Sequence, residues 1–441
     1  MKHNLLEKVL VSILLVVAVG VVVHAPLTVW LGTIWPEQTQ YIKAWKEVLM
    51  GVALVLLIVA AMKRKMVSAL LDDRLMQLAL IFAGLHFALM AVFQNGLAQA
   101  GAGLLIDLRF VLYFVLVYGT LKLYPNYRHL FIKAFAAGMV VVLVFSVLQQ
   151  FVLPRNILTH IGYSKSTISP YLLVDENPAF VRINSTLRGP NPLGAYAVIV
   201  LGLLAAVAVD SKLKQRRVWW MLGVTALAAG LTLGASYSRS ALIGAVVALT
   251  AAVVTAVSKQ YRKYVAWSLA ILAVVVAVGL FVFRSSDFVA NVILHDSPTT
   301  GASIDSNTGH VSSVVESIGL VTGAPLGYGV GSAGSASLIG NEPLIIENQY
   351  LFVAHEVGWI GLALFVWLFV EIMRRVWHGR KSILAQGVFA SGLGLAIIGL
   401  FLPVWTDDTV SIVWWGLAAV VVSGRELGLR KKKEKVKHHD A

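Results

Sequence analysis

Apolar stretches of about 17 to 25 residues, long enough to cross a bilayer as a helix, recur along this chain between shorter polar connections. Twelve spans are predicted, at roughly 9–32, 46–62, 75–94, 108–123, 130–153, 192–209, 218–235, 240–258, 264–283, 347–373, 382–402 and 408–423. The first run is too long for a cleavable signal peptide, and no small-residue cleavage site follows it. The pattern predicts an all-α polytopic membrane protein, one transmembrane domain over 1–441, with a large polar loop at 285–346 between helices 9 and 10. Inside that loop Val311, Val314, Val315 and Ile318 recur at helical spacing, with Asp305, Ser306 and Thr308 available as caps. A short amphipathic helix lying on the membrane surface is expected there, with His310 in its first turn.

Composition agrees with this reading. Of 441 residues, 58% are hydrophobic and only 13% charged, a balance no soluble domain carries. The absence of cysteine excludes disulfides, thiol nucleophiles and thiolate metal sites. The net charge of +14 is unevenly placed. Lys63 to Lys65, Lys122 to Lys133, Lys212 to Arg217, Lys259 to Lys263, Arg374 to Lys381 and the 424–441 tail all fall on one side of the predicted spans. The positive-inside rule therefore places both termini in the cytoplasm of a plasma (inner) membrane protein. The tail reads as a topology determinant drawn to anionic lipid head groups rather than as a nucleic-acid arm.

Chemistry is then expected on the opposite, outer side. The tenth span opens with Glu347 and Asn348 and carries His355 and Glu356 about 12 to 14 Å deeper, at 1.5 Å per residue. Ionisable groups at that depth face a bundle interior or a watery cavity rather than lipid. Basic residues on this side are mostly arginine, whose planar fork matches phosphate and carboxylate oxygens. Arg239 sits with Tyr237 in the short turn Ser236 to Ser240, which holds its guanidinium at the membrane surface. Arg188 heads a turn ending in Pro190 and Pro192, and Arg182 lies just before it; rigid loop closure is the competing reading for this pair. Arg155 and Arg284 read as helix-end residues, and Asp407 and Asp408 as solvated. Asp287, Asp296 and Asp305 show no metal-ligand spacing, so no metal and no other cofactor is expected. Gly329, Gly331 and Gly334 satisfy G-x-G-x-x-G without a βαβ unit, so a dinucleotide site is excluded and a turn closing the loop against the helix mouth is expected.

Ser238-Arg239, the run Pro325-Leu326-Gly327-Tyr328-Gly329-Val330-Gly331, and Glu347-Asn348 followed by Gly358-x-x-Gly361 resemble the O-antigen ligase and O-antigen polymerase family, most strongly over 180–370. The resemblance implies a GT-C-like membrane glycosyltransferase. Such an enzyme takes a glycan from a polyprenyl-diphosphate donor, without a metal, and joins it to a lipid, glycan or protein acceptor on the outer face. It also implies Glu347 as catalytic base where the ligases carry histidine, with His310, in place of a loop arginine, as second candidate. Arg239, Arg188 and Arg182 would hold the donor diphosphate, and Asn348, His355 and Tyr237 would support them. The two replacements imply a relative that handles another surface polysaccharide or glycoprotein. A secondary transporter of a small anionic solute and a non-catalytic part of a polysaccharide export assembly are the alternatives.

Overall fold

The computed structural model describes residues 5–424, apart from 175, 211–214, 258, 262, 265–266, 268–274, 276–277, 280, 287–288, 291–305 and 341–342, and apart from the side chains of 259 and 306–310. Helices Leu5–Gly20 (α1) and His24–Ile34 (α2) form the first span, joined through a 3₁₀ turn at Val21–Val23. Then follow Trp45–Lys63 (α3), Arg74–Val92 (α4), Leu97–Leu123 (α5), Arg128–Phe151 (α6), Pro190–Ala208 (α7), Arg216–Ser236 (α8) and Arg239–Ala256 (α9). After the long polar segment come Ser306–Gly323 (α10), Gln349–His378 (α11), Ile383–Ile398 (α12) and Asp408–Ser423 (α13). Among the described residues nine helices, α1 and α2 counted together, are long and apolar enough to cross a membrane; α12 and α13 are shorter. This is a polytopic helical architecture. All the predicted spans except the ninth coincide with these helices, and 264–283 lies largely outside the described residues.

Of these helices α13 sits deepest. Every residue of α13 from Thr409 to Ser423 is buried, so it forms an axis around which the longer helices pack. It lies chiefly against α5, with α6, α7, α11 and α12 around it. Trp414 and Trp415 point from it into an aromatic cluster with Trp405, Phe110 and Phe369, ring centroids 4.8 to 5.4 Å apart in the closest pairs.

Two features differ from the sequence expectation. The chain is not wholly α: Leu172–Val174 (β1) and Asn177–Arg182 (β2) form a small antiparallel hairpin between α6 and α7, Leu172 opposite Arg182. Short alternating runs flanked by polar residues satisfy their backbone groups by pairing, even in a helical protein. Next, α5 starts at Leu97, eleven residues before the predicted span. Its first three turns hold glycines and alanines that lower hydropathy yet pack against the glycine-rich run. The helix expected in the polar loop is present as α10, with Val311, Val315 and Ile318 exposed while Ser317 and Val321 face the bundle. Its apolar stripe points away from the protein, as an interfacial helix requires.

Candidate functional site

At the end of the bundle opposite the Lys- and Arg-rich connections lies a cavity of 370 Å³. Four segments converge on it: the Arg188–Pro192 turn, Gly334–Ser335, the approach to α11 at Ile345 and Ile346, and Pro403–Asp407 before α13. Most of its wall is apolar, with Ile106, Phe352, Ile398 and Leu402 among the contributors; Arg109, Arg188, Asn191 and Asp407 supply the polar part.

The predicted arginines divide by position. Arg188 lines the cavity, and its Nη2 donates to Ser335 Oγ at 3.1 Å. Arg182 ties the wall together instead: Nε donates to the Ser236 carbonyl at 2.9 Å and Nη2 to Asn191 Oδ1 at 2.6 Å. Arg239 is the first residue of α9, half-buried, and is not part of this lining. Tyr237, before it, caps α8 in the left-handed region (φ 47°), its ring 6.1 Å from Phe180 of the hairpin.

Glu347 is half-buried immediately after the lining residues Ile345 and Ile346, but does not itself line the cavity. Asn348, not Glu347, is the N-cap of α11: its Oδ1 accepts from Tyr350 and Leu351 N–H at 2.9 and 3.0 Å. Its amide donates to the Leu400 carbonyl at 2.8 Å, so this side chain holds α11 against the end of α12. His310 is on the backbone of α10, and its side chain lies outside the described residues, as do Asp287, Asp296 and Asp305.

Beneath the cavity is a charge cluster that the sequence did not reveal. Asp408 is not solvated: its carboxylate receives Arg109, Lys46 Nζ at 2.7 Å and His24 Nε2 at 3.0 Å. Trp45 Nε1 donates to His24 Nδ1 at 2.9 Å, which leaves Nε2 to carry the hydrogen given to Asp408. Arg109 also donates to the Thr406 carbonyl, and Glu47 lies 3.1 Å from Lys46. Asp407 is likewise structural, its Oδ1 accepting from Thr409 and Val410 N–H at the start of α13. Two cations and two acids from α3, α5 and α13 thus neutralise one another inside the bundle, as buried charges must.

A second buried group forms where α11 breaks. Val357 and Gly358 leave helical geometry, Gly358 at φ 69°. A Cβ there would lie 2.5 Å from the Pro325 carbonyl oxygen, so only glycine lets the 325–334 run pass. That run pairs with the broken helix through Tyr328 N–H to His355 O (2.7 Å) and Gly329 N–H to Glu356 O (3.1 Å). The turn therefore docks at the break, a full two turns inside α11, rather than at its mouth. The Glu356 carboxylate accepts from Gly331 N–H at 3.0 Å and Ala333 N–H at 3.1 Å. His355 stacks on Tyr328, centroids 4.5 Å apart. Asp107 and His86, 4.0 Å apart, complete the group around a 10 Å³ void shared with Glu356. Among the described residues no three His, Asp or Glu side chains form a metal-binding set.

The sequence matches no protein-family model, and no curated protein matches it. Sequence reading gave Arg109 and Asn191 no role and took Asp407, which caps α13, as solvated. Depth within a span was the one available signal, and it singled out Glu356 without a partner.

Proposed function

We propose that this chain is a metal-independent membrane glycosyltransferase of the O-antigen ligase or polymerase type. It moves a glycan from a polyprenyl diphosphate onto a lipid, glycan or protein hydroxyl at the outer face of the plasma membrane, with both termini cytoplasmic. The 370 Å³ cavity carries this reading: an apolar wall for a prenyl chain and the guanidinium of Arg188 for a diphosphate meet in one space. In the reaction the acceptor oxygen attacks sugar C1, the bond from C1 to the diphosphate oxygen breaks, and the electron pair leaves with the diphosphate. Arg188 stabilises the charge that develops, and Glu347 takes the hydroxyl proton. Arg182 and Asn348 hold the surrounding frame.

Secondary transport is favoured by one observation, the interruption of α11 at Gly358 beside the buried Glu356 and His355. Purified protein in vesicles separates the two. Transfer of glycan from a lipid-linked donor in the presence of a chelator supports the enzyme. Uptake of a radiolabelled anionic solute with no transfer supports the transporter, and neither activity supports a non-catalytic role.

A further inference from the structure

Glu356 is nearly wholly buried, yet no step of the proposed reaction uses it. Both of its oxygens accept from backbone N–H groups of one short segment, Gly331 and Ala333, and Asp107 hydrogen-bonds the same carboxyl. The next two residues of that segment, Gly334 and Ser335, form cavity wall, and Ser335 Oγ receives Arg188. The segment has other ties. Gln99 Nε2 donates to the Gly331 carbonyl at 2.9 Å, and Gly334 N–H donates to the Leu344 carbonyl at 2.8 Å. Gly331 lies so close to α5 that a Cβ would come 2.5 Å from the Gln99 carbonyl oxygen. Only Glu356, however, reaches it from α11 through two side-chain acceptors.

We propose that Glu356 is the positioning residue of this site. By binding Gly331 and Ala333 it sets Ser335 in the cavity wall, where Ser335 holds the Arg188 guanidinium toward a diphosphate. The chain of contacts runs from α11 to the glycine-rich segment, from Ser335 to Arg188, and from Arg188 to the anion. Two hydrogen bonds to an ionisable acceptor are among the stronger contacts a loop can make. Without them the segment keeps Gln99, Leu344 and, just before it, the backbone bonds of Tyr328 and Gly329 to α11, but Gly331 and Ala333 lose their own contacts to that helix. This inference rests on the reading of the cavity as a lipid-diphosphate site.

The test uses farnesyl diphosphate as probe and farnesol as its uncharged counterpart, with binding followed by intrinsic fluorescence of the full chain in nanodiscs. The chain has no cysteine, and Ala336 is 1% exposed. Ala336→Cys therefore reports, by reaction with a soluble maleimide, whether the segment stays docked. In Glu356→Ala the reporter is expected to react about tenfold faster and farnesyl diphosphate to bind about tenfold more weakly, the scale of one hydrogen bond. Farnesol affinity should not change. Glu356→Gln keeps the side-chain volume and one carbonyl acceptor, and should fall between, which covers an alanine variant that fails to fold. Unchanged labelling overturns the inference, as does faster labelling with unchanged diphosphate affinity. If the unmutated chain does not prefer farnesyl diphosphate over farnesol, the cavity reading itself fails, and the inference falls with it.

Discussion

Lys46 Nζ lies 2.7 Å from the Asp408 carboxylate, joining the start of α3 to the start of α13. Lys46 is 2% exposed and Arg109, on the same acid, 7%. Asp408→Asn leaves both cations buried without their main counter-charge, a change that costs about 3–5 kcal/mol. A marked drop in the thermal midpoint in detergent is expected. Combining it with Lys46→Met should recover part of the loss, because the remaining Arg109 keeps Glu47 and the Thr406 carbonyl nearby. A single variant as stable as the parent would show that the cluster is not what holds these helices together.

Arg188 should tolerate neither alanine nor lysine. A point charge cannot reproduce a fork that binds Ser335 and an anion together. In a reconstituted transfer assay both variants are expected to lose about 10²-fold or more, the scale of one lost transition-state donor. Full activity in the Arg188→Lys protein removes Arg188 from the diphosphate site.

Glu347 and Asn348 are adjacent and should separate cleanly. Glu347→Gln is expected to lose about 10²- to 10⁴-fold in rate with folded protein intact, as a missing base does. Asn348→Ala should cost about 1 kcal/mol of stability through the lost cap, with near-normal turnover per folded molecule. Wild-type turnover of Glu347→Gln between pH 6 and 8 would move the base elsewhere, with His310 the next candidate.

Asp73, which caps α4 through the Leu75 N–H, gives a pH-dependent stability. Burial would raise its carboxyl, but Arg375 and Tyr118, with the Leu75 N–H, outweigh burial and hold it below the ordinary range. A depressed folded value means the stabilisation is complete above the ordinary aspartate range and is lost as pH falls through the lowered one. The thermal midpoint should therefore fall on acidification below about pH 4, and Asp73→Asn should flatten that part of the curve. An unchanged acid limb in Asp73→Asn would assign the dependence to other carboxylates.

The spans were legible because apolar runs are local, and a run of membrane length announces itself residue by residue. Boundaries shifted where small residues lower hydropathy while packing closely, as at Leu97–Gly103 of α5. The polar cavity wall was partly legible: Arg188 stood out by type and by the prolines after it. Asp408 did not, because its meaning depends on Lys46 and Arg109, contacts distant in sequence that no periodicity encodes. Glu356 stood out by depth, but its partners, backbone N–H groups of a glycine run, did not. The hairpin β1–β2 escaped because its strands are too short for alternation to exceed the background of a polar connection.

The central position of α13 has a consequence for how the protein is made. The axis of the bundle is the last of these helices to leave the ribosome, so the helices that surround it are inserted before it exists. Until Asp408 arrives, Lys46 and Arg109 have to wait in the nascent bundle with Glu47 as their nearby acid. Chains halted before residue 408 would hold an open ring of helices with two cations inside. Closure of the bundle around Lys46 and Arg109 thus waits for α13.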